Sequence, residues 1–174
     1  MSRWLFLSLM VVLLDQTSKQ FAEALLTAYQ SVQLLPYFNL TLMYNKGAAF
    51  SFLSDQGGWQ RWFFILLALV VTAVLIGWLR RLKTQEKWTA LALSLIIGGA
   101  LGNVIDRILF GQVIDFIDLY YRAGSCLPFF AQVRGTCHWP AFNLADSAIM
   151  LGVVTMLFEA FFLSRGGQDD RSNA

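Results

Sequence analysis

The chain has 174 residues, of which 57% are hydrophobic and only 14% are charged, and its formal net charge is +2. This composition fits one domain, is too apolar for an ordinary soluble protein, and lacks the long basic runs and motifs that would predict a nucleic-acid partner. His138 is the only histidine, which excludes a zinc site built from two or more histidines of one chain.

Four apolar segments are long enough to cross a bilayer. They comprise residues 4–26, 62–79, 88–105 and 141–163. At about 1.5 Å per residue, even the shorter ones reach about 27 Å, close to the thickness of a hydrocarbon core. We therefore predict an all-α membrane protein with four transmembrane helices, in which residues 1–165 form one integral membrane domain.

Basic residues predict the orientation of these helices. The segment between the second and third helices, residues 80–87, has four lysines and arginines in eight positions, whereas the two opposite loops have five in much longer segments. Because cytoplasmic loops are enriched in lysine and arginine, we expect both termini in the cytoplasm, with 166–174 as a polar tail. The opposite ends of the helices are then extracytoplasmic.

The first predicted helix has charges in its second half. Asp15 and Lys19 are four residues apart, so they share one helix face and can neutralise each other. One interpretation is an internal ion pair that fixes helix packing. The other is that the pair orients a site or contacts a lipid head group.

Residues 27–61 are too many for a tight turn. Residues 32–44 are rich in strand formers, Asn45 to Gly47 is a turn signal, and residues 48–53 continue apolar. We predict a small strand-rich platform on the extracytoplasmic membrane surface, with Trp59 and Trp62 at the interface. Asn45 is interpreted either as a turn former or as a contact for substrate.

The second helix has no chemically active side chain and is assigned to the scaffold. In the third, Gly98 and Gly102 have the small-xxx-small spacing that allows close helix approach. Asn103 and Arg107 are four apart near its outer end, with Asp106 beside them. They form either a polar cap or part of a site.

Asp115 and Asp146 lie at the two ends of the segment that connects the third and fourth predicted helices. Asp115 follows Gly111 and a short apolar turn, and Asp118, three residues later, is expected in solvent. Asn143 and Asp146 are three residues apart, so both lie on one face of the fourth predicted helix. Asp146 lies about 8 Å past the start of that segment. Because a carboxylate near the membrane interior is costly, Asp115 and Asp146 are predicted to be functional.

Two close carboxylates can share one proton, so that one acts as acid and the other as base in peptide hydrolysis. Three alternatives stay open. The chain could be a transporter that uses Asp15, Asp106, Asp115 and Asp146 as ion sites, a scaffold without catalysis, or a thiol enzyme, since Cys137 adjoins His138. Cys126 and Cys137, eleven residues apart on the oxidising side, form either a disulfide or two free thiols.

The sequence resembles the lipoprotein signal peptidases, the type II signal peptidases of bacteria. The resemblance rests on five sequence blocks that occur in the same order as in the family: residues 14–19, 44–52, 98–107, 113–117 and 142–147. It implies that Asp115 and Asp146 are the catalytic pair of a membrane aspartyl protease. The positions that the family uses around the pair correspond to Asp15, Lys19, Asn45, Gly47, Asn103, Arg107, Asn143 and Ala145.

The resemblance also implies the substrate and the location. The substrate is a prolipoprotein whose cysteine carries diacylglycerol, and the cut lies just before that cysteine, at the extracytoplasmic side of the bacterial inner membrane. We expect membrane lipid as a partner, a monomer, and no metal or organic cofactor. The chain departs from the family between Asp115 and Asp146, where residues 122–137 hold roughly a dozen extra residues.

Overall fold

The computed structural model describes residues 2–47, 57–133 and 135–163. The prediction for residues 48–53 therefore lies outside the described part of the chain. The helices are α1 Ser2–Leu25, α2 Trp59–Arg81, α3 Lys87–Phe110 and α4 Leu144–Phe158, the last followed by a π-helical turn, Glu159–Leu163. The strands are β1 Ser31–Leu35, β2 Phe38–Asn45, β3 Val113–Arg122, β4 Ala131–Val133 and β5 Thr136–His138.

Three of these helices are long and apolar enough to cross a membrane. They are Trp59–Arg81, Lys87–Phe110 and Leu144–Phe162. Helix α1 is equally long, with 24 residues, but Asp15, Gln16, Lys19 and Gln20 make its second half polar. The fourth span therefore stays a prediction.

Helix α3 is at the centre of the bundle and packs against each of the other three helices. A Cβ atom on Gly98 would come within 2.7 Å of the Ser8 carbonyl oxygen, and one on Gly102 would come within 2.5 Å of Asp15 Oδ2. Only glycine leaves room for α1 at these two positions. The predicted small-residue contact is thus confirmed, and its partner is α1.

The extramembrane layer is a five-stranded sheet in the order β1-β2-β3-β5-β4, with antiparallel neighbours. The sheet lies at the end of the bundle where α1 and α3 finish and α4 begins. A small apolar core of Ala22, Leu42, Ile114 and Phe116 joins α1 to the sheet. The strand-rich platform is therefore present, but it is larger than predicted.

Strand β3 corrects the expectation of a short apolar turn before Asp115. Residues 113–122 alternate β-branched, aromatic and acidic side chains, a composition that suits a pleated, half-buried surface. The strand pairs with β2 on one side and with β5 on the other. Asp115 lies near the start of this strand, opposite Met43 of β2, whereas β5 pairs with the strand only from Tyr120 to Arg122.

The segment after β3 forms an extension that we call the arm, residues 123–140 (Arg134 is outside the described residues). Cys126 and Cys137 are joined by a disulfide with their Cα atoms 5.4 Å apart, well within the range that disulfides span. Of the two alternatives for these cysteines, the structure has the disulfide. Strands β4 and β5 form the body of the arm.

Candidate active site

Asp115 projects from β3 into a buried position, with only 3% of its surface exposed. Its Oδ1 accepts a hydrogen bond from Asn143 Nδ2 at 2.8 Å, and its Oδ2 accepts one from Asn45 Nδ2 at 3.2 Å. Asn45 Oδ1 also accepts from the backbone N–H of Gly47 at 3.0 Å. Asn45 therefore forms the predicted turn and also holds Asp115, while its contact with substrate stays a prediction.

Asp146 lies in the first turn of α4. Asn143 caps this helix, because its Oδ1 accepts from the Asp146 backbone N–H at 2.9 Å while Asp146 Oδ2 accepts from the Asn143 N–H at 3.3 Å. This reciprocal pair is a capping box. The helix begins at Leu144 rather than at Ala141, so Asp146 is closer to the helix end than the sequence predicted.

Two asparagine amides connect the carboxylates. Asn143 Nδ2 contacts Asp115 and also approaches Asn103 Oδ1 at 3.1 Å. Asn103 Nδ2 donates to Asp146 Oδ1 at 2.7 Å. The structure thus brings the two predicted aspartates together in one hydrogen-bond network, with Asn103 and Asn143 as its links.

A buried cluster of charged side chains holds this network in place. Lys19 Nζ lies 2.8 Å from Asp15 Oδ2 and 2.8 Å from Asp106 Oδ2, and it donates to Asn103 Oδ1 at 3.1 Å. The three charged side chains are at most 1% exposed. Asp15 Oδ1 accepts from the Ala145 backbone N–H at 2.9 Å. The predicted pair is therefore internal, and it also holds two residues of the site.

Asp106 completes the cluster, although the sequence indicated only a polar cap, part of a site or an ion site for it and not a contact with Lys19. Its Oδ2 accepts from the Ile114 backbone N–H at 3.1 Å, and its Oδ1 accepts from Gln16 Nε2 at 2.7 Å. These bonds tie the end of α3 to the start of β3. The signal that could have found Asp106 is its spacing, three residues after Asn103, which places both on one helix face.

Arg107 connects the cluster to the platform. Its Nη2 donates to the Gly47 carbonyl oxygen at 2.9 Å, and its guanidinium carbon lies 5.3 Å from the centre of the Phe64 ring. This is within cation–π range. Gly47 thus contributes backbone atoms, an acceptor for Arg107 and a donor for Asn45, which fixes the turn after β2.

The surroundings of Asp115 favour its protonated form. The pKa of Asp115 is raised from 3.8 to about 7, chiefly by burial and then by the negative charge of Asp146. Hydrogen bonds from Asn45 and Asn143 and the positive charge of Lys19 act in the opposite direction, but they are the smaller causes. Asp115 therefore titrates near neutral pH, where an acid–base residue is most useful.

Both aspartates open into one groove of about 1430 Å³ between the sheet and α4. On the helix side its walls are apolar residues of α4, including Ile149, Met150 and Val153. On the sheet side they are aromatic residues of β3 and the arm. A groove of this size exceeds the usual range for drug-sized ligands.

Asp118 corrects a second expectation. It is 5% exposed rather than solvated, and it accepts hydrogen bonds from Thr41 Oγ1 at 2.9 Å and Asn39 Nδ2 at 3.2 Å. His138 Nδ1 lies 2.8 Å from its other oxygen. The thiol alternative also fails, because Cys137 is in the disulfide and His138 is engaged with Asp118.

No group of three or more His, Cys, Asp or Glu residues suited to a metal ion occurs within residues 2–47, 57–133 and 135–163.

Comparison with known proteins places these observations in a family. Residues 7–162 match the family model described as signal peptidase (SPase) II. A lipoprotein signal peptidase of Aeromonas hydrophila is 49% identical over 160 residues, which cover 91% of this chain and 88% of that protein. One of Pseudomonas aeruginosa is 46% identical over 166 residues, which cover 95% and 91%.

The fold is also similar to solved structures. A bacterial membrane enzyme solved by the in meso method aligns with a TM-score of 0.78 and 27% sequence identity. The alignment covers 97% of this chain and 93% of that chain. The bundle with its sheet is therefore the architecture of a known membrane enzyme.

Proposed function

The chain belongs to the signal peptidase II family, and from this membership we infer that it is a protease that removes signal peptides from prolipoproteins. We further propose that it is an aspartyl endopeptidase, with Asp115 and Asp146 as the catalytic pair. The observation that supports this assignment best is that Asn143 hydrogen-bonds Asp115 and caps the helix turn that holds Asp146.

In the proposed mechanism one carboxyl group of the pair is protonated and the other is ionised. The ionised group takes a proton from a water molecule, which attacks the peptide carbonyl carbon, and the protonated group gives a proton to the leaving amine. Asn103 and Asn143 hold the two carboxylates in place. Asp15 and Asp106 do not line the groove, which favours a protease over a transporter that uses all four aspartates.

The raised pKa of Asp115 predicts the pH dependence of kcat/KM. Below about pH 7 Asp115 holds its proton and can act as the acid; above about pH 7 it loses that proton and can no longer donate it to the leaving amine. We expect kcat/KM to fall by about tenfold per pH unit on the alkaline side. Initial rates between pH 5 and pH 9 measure this profile. A kcat/KM that still rises at pH 9 would contradict the assignment.

We propose that the preferred substrate is a diacylglyceryl-modified precursor. Apolar α4 residues such as Met150, Val153 and Val154 line the groove beside the aspartate pair, so acyl chains can lie against α4 while the peptide reaches the carboxylates. Each buried methylene contributes about 0.8 kcal/mol, so burying even part of two chains predicts a preference of at least about 100-fold.

Cleavage of matched precursor peptides by the purified protein in detergent tests this proposal. The two peptides share one sequence, and only one has a diacylglyceryl group on its cysteine. We expect the cut just before that cysteine and a much higher kcat/KM for the lipidated form. Equal kcat/KM values for the two forms would show that the lipid does not position the substrate.

We also propose that the site faces the extracytoplasmic side of the inner membrane and that both termini are cytoplasmic. The support is the charge distribution: α2 ends on Arg80 and Arg81, at the bundle end opposite the sheet.

A further inference from the structure

We propose that the arm forms a subsite for the first residues of the mature chain, those after the lipidated cysteine, and that it prefers apolar or aromatic side chains there. This inference rests on the proposed function. It assigns a specificity role to a segment that is longer here than in the family the sequence resembles.

The arm and the aspartate pair share one groove. The arm residues that line it are all aromatic or apolar, and Tyr120 and Tyr121 of β3 lie beside them; these five arm residues are Phe129, Phe130, Ala131, Trp139 and Pro140. The charged groups among the described lining residues are Asp115, Asp146 and Arg107, all at the catalytic end. A peptide that leaves the catalytic end along β3 therefore meets an uncharged, largely aromatic surface.

The arm is rigid enough to select a side chain. Its disulfide joins Cys126 to Cys137, and its strand β5 pairs with β3, with His138 opposite Tyr120. The His138 ring stacks on Tyr120 with centroids 5.5 Å apart, and its Nδ1 contacts Asp118. These four contacts fix the arm before substrate arrives. A preorganised surface loses less entropy on binding.

Phe129 and Phe130 differ in their environment. The Phe130 ring makes edge-to-face contacts with Tyr121 at 5.1 Å and Trp139 at 5.3 Å, so it is part of the wall. Phe129 is 72% exposed while lining the groove, so a large area of its ring is open to a ligand. Phe129 is therefore the residue whose truncation changes binding most directly.

The position of the arm identifies the part of the substrate that it contacts. The signal peptide is apolar and lies among the helices, and the acyl chains lie against α4. What remains is the mature chain, which leaves beyond the ends of the helices, where the sheet lies. From Asp115 to Tyr121 β3 advances about 20 Å, the length of about six extended residues.

Three lipidated substrates test the proposal. They share a signal peptide and lipidated cysteine and differ after it: one continues with four apolar and aromatic residues, one with four glycines and serines, and one ends at the cysteine amide. We expect wild-type kcat/KM to be about fivefold higher for the aromatic than for the glycine–serine substrate. Phe129→Ala should lower that ratio to about twofold.

The controls separate specificity from stability. Val133→Ala removes a half-exposed side chain of the same arm that does not line the groove, and its ratio should equal that of wild type. Replacing both cysteines by alanine should lower the ratio as Phe129→Ala does. Equal losses on all three substrates, or an unchanged ratio in Phe129→Ala, would overturn the subsite. If wild type cleaves none of the three lipidated substrates, the proposed function itself fails, and the subsite with it.

Discussion

Asp115→Asn and Asp146→Asn are each expected to lower turnover by at least about 1000-fold, because the reaction needs both a base and an acid. Asparagine is close to aspartate in size and keeps a hydrogen-bonding group, but it cannot exchange the proton. Both variants should still bind lipidated precursor, since the apolar groove is unchanged. Initial rates and binding of a fluorescent lipidated peptide measure the two effects separately.

Asp115→Asn should not lose stability at pH 8. The pKa of Asp115 is raised to about 7 in the folded protein, so the folded state binds more protons than the unfolded state between about pH 4 and pH 7. The contribution of Asp115 to the free energy of unfolding therefore declines as the pH rises through this range. Above about pH 7, a neutral asparagine at this position stabilises the folded protein at least as well as the ionised aspartate. The melting temperature of Asp115→Asn should therefore at least equal that of wild type.

Asp118→Asn is the matched control for this pair. Asp118 is a buried aspartate on the same strand, but it does not line the groove, and it accepts hydrogen bonds from Thr41 and Asn39 beside His138. We expect the opposite result: a lower melting temperature with proteolysis retained. If Asp118→Asn abolishes cleavage in a folded protein while Asp115→Asn does not, the catalytic assignment is wrong.

Lys19→Met is expected to lower the free energy of unfolding by about 3–5 kcal/mol, more than the other variants do. The substitution keeps most of the side-chain volume but leaves Asp15 and Asp106 buried without their cation. It also removes the donor to Asn103, so the aspartate pair should lose its fixed geometry. Thermal melting in detergent and cleavage rate both report the change.

Two further variants check the cause of that loss. Lys46→Met makes the same substitution at an exposed lysine on the same side of the protein and should leave the melting temperature unchanged. Adding Asp106→Asn to Lys19→Met removes one of the two unpaired charges and should recover part of the lost stability. A Lys19→Met protein that melts like wild type would show that the cluster does not hold the bundle together.

Much of the bundle could be predicted because apolar length and small-residue spacing are local signals. Gly98 and Gly102 are four residues apart, and this spacing alone predicted a close helix contact, although not that α1 is the partner. Strand β3 was missed because its first residues, Val113 and Ile114, also suit an apolar turn. Only pairing with β2 and β5 on both sides makes a strand of residues 113–122.

The site shows the same division between local and distant contacts. Asp15 and Lys19 were paired from their helical spacing, and Asn143 with Asp146 from theirs. The third member of the ion cluster, Asp106, comes from another helix, and no spacing along the chain indicates that Lys19 contacts it. Asp118 was expected in solvent because its donors, Asn39, Thr41 and His138, come from two other strands.

A single-turnover experiment tests the two-aspartate assignment most directly. Excess protein is mixed at pH 6.5 with a diacylglyceryl-modified precursor, and the released signal peptide is identified by mass spectrometry for wild type, Asp115→Asn and Asp146→Asn, each with its folding checked by thermal melting. We predict one cut, just before the lipidated cysteine, in wild type and none in either variant. Cleavage at a near wild-type rate by a folded Asp115→Asn or Asp146→Asn protein would contradict the assignment.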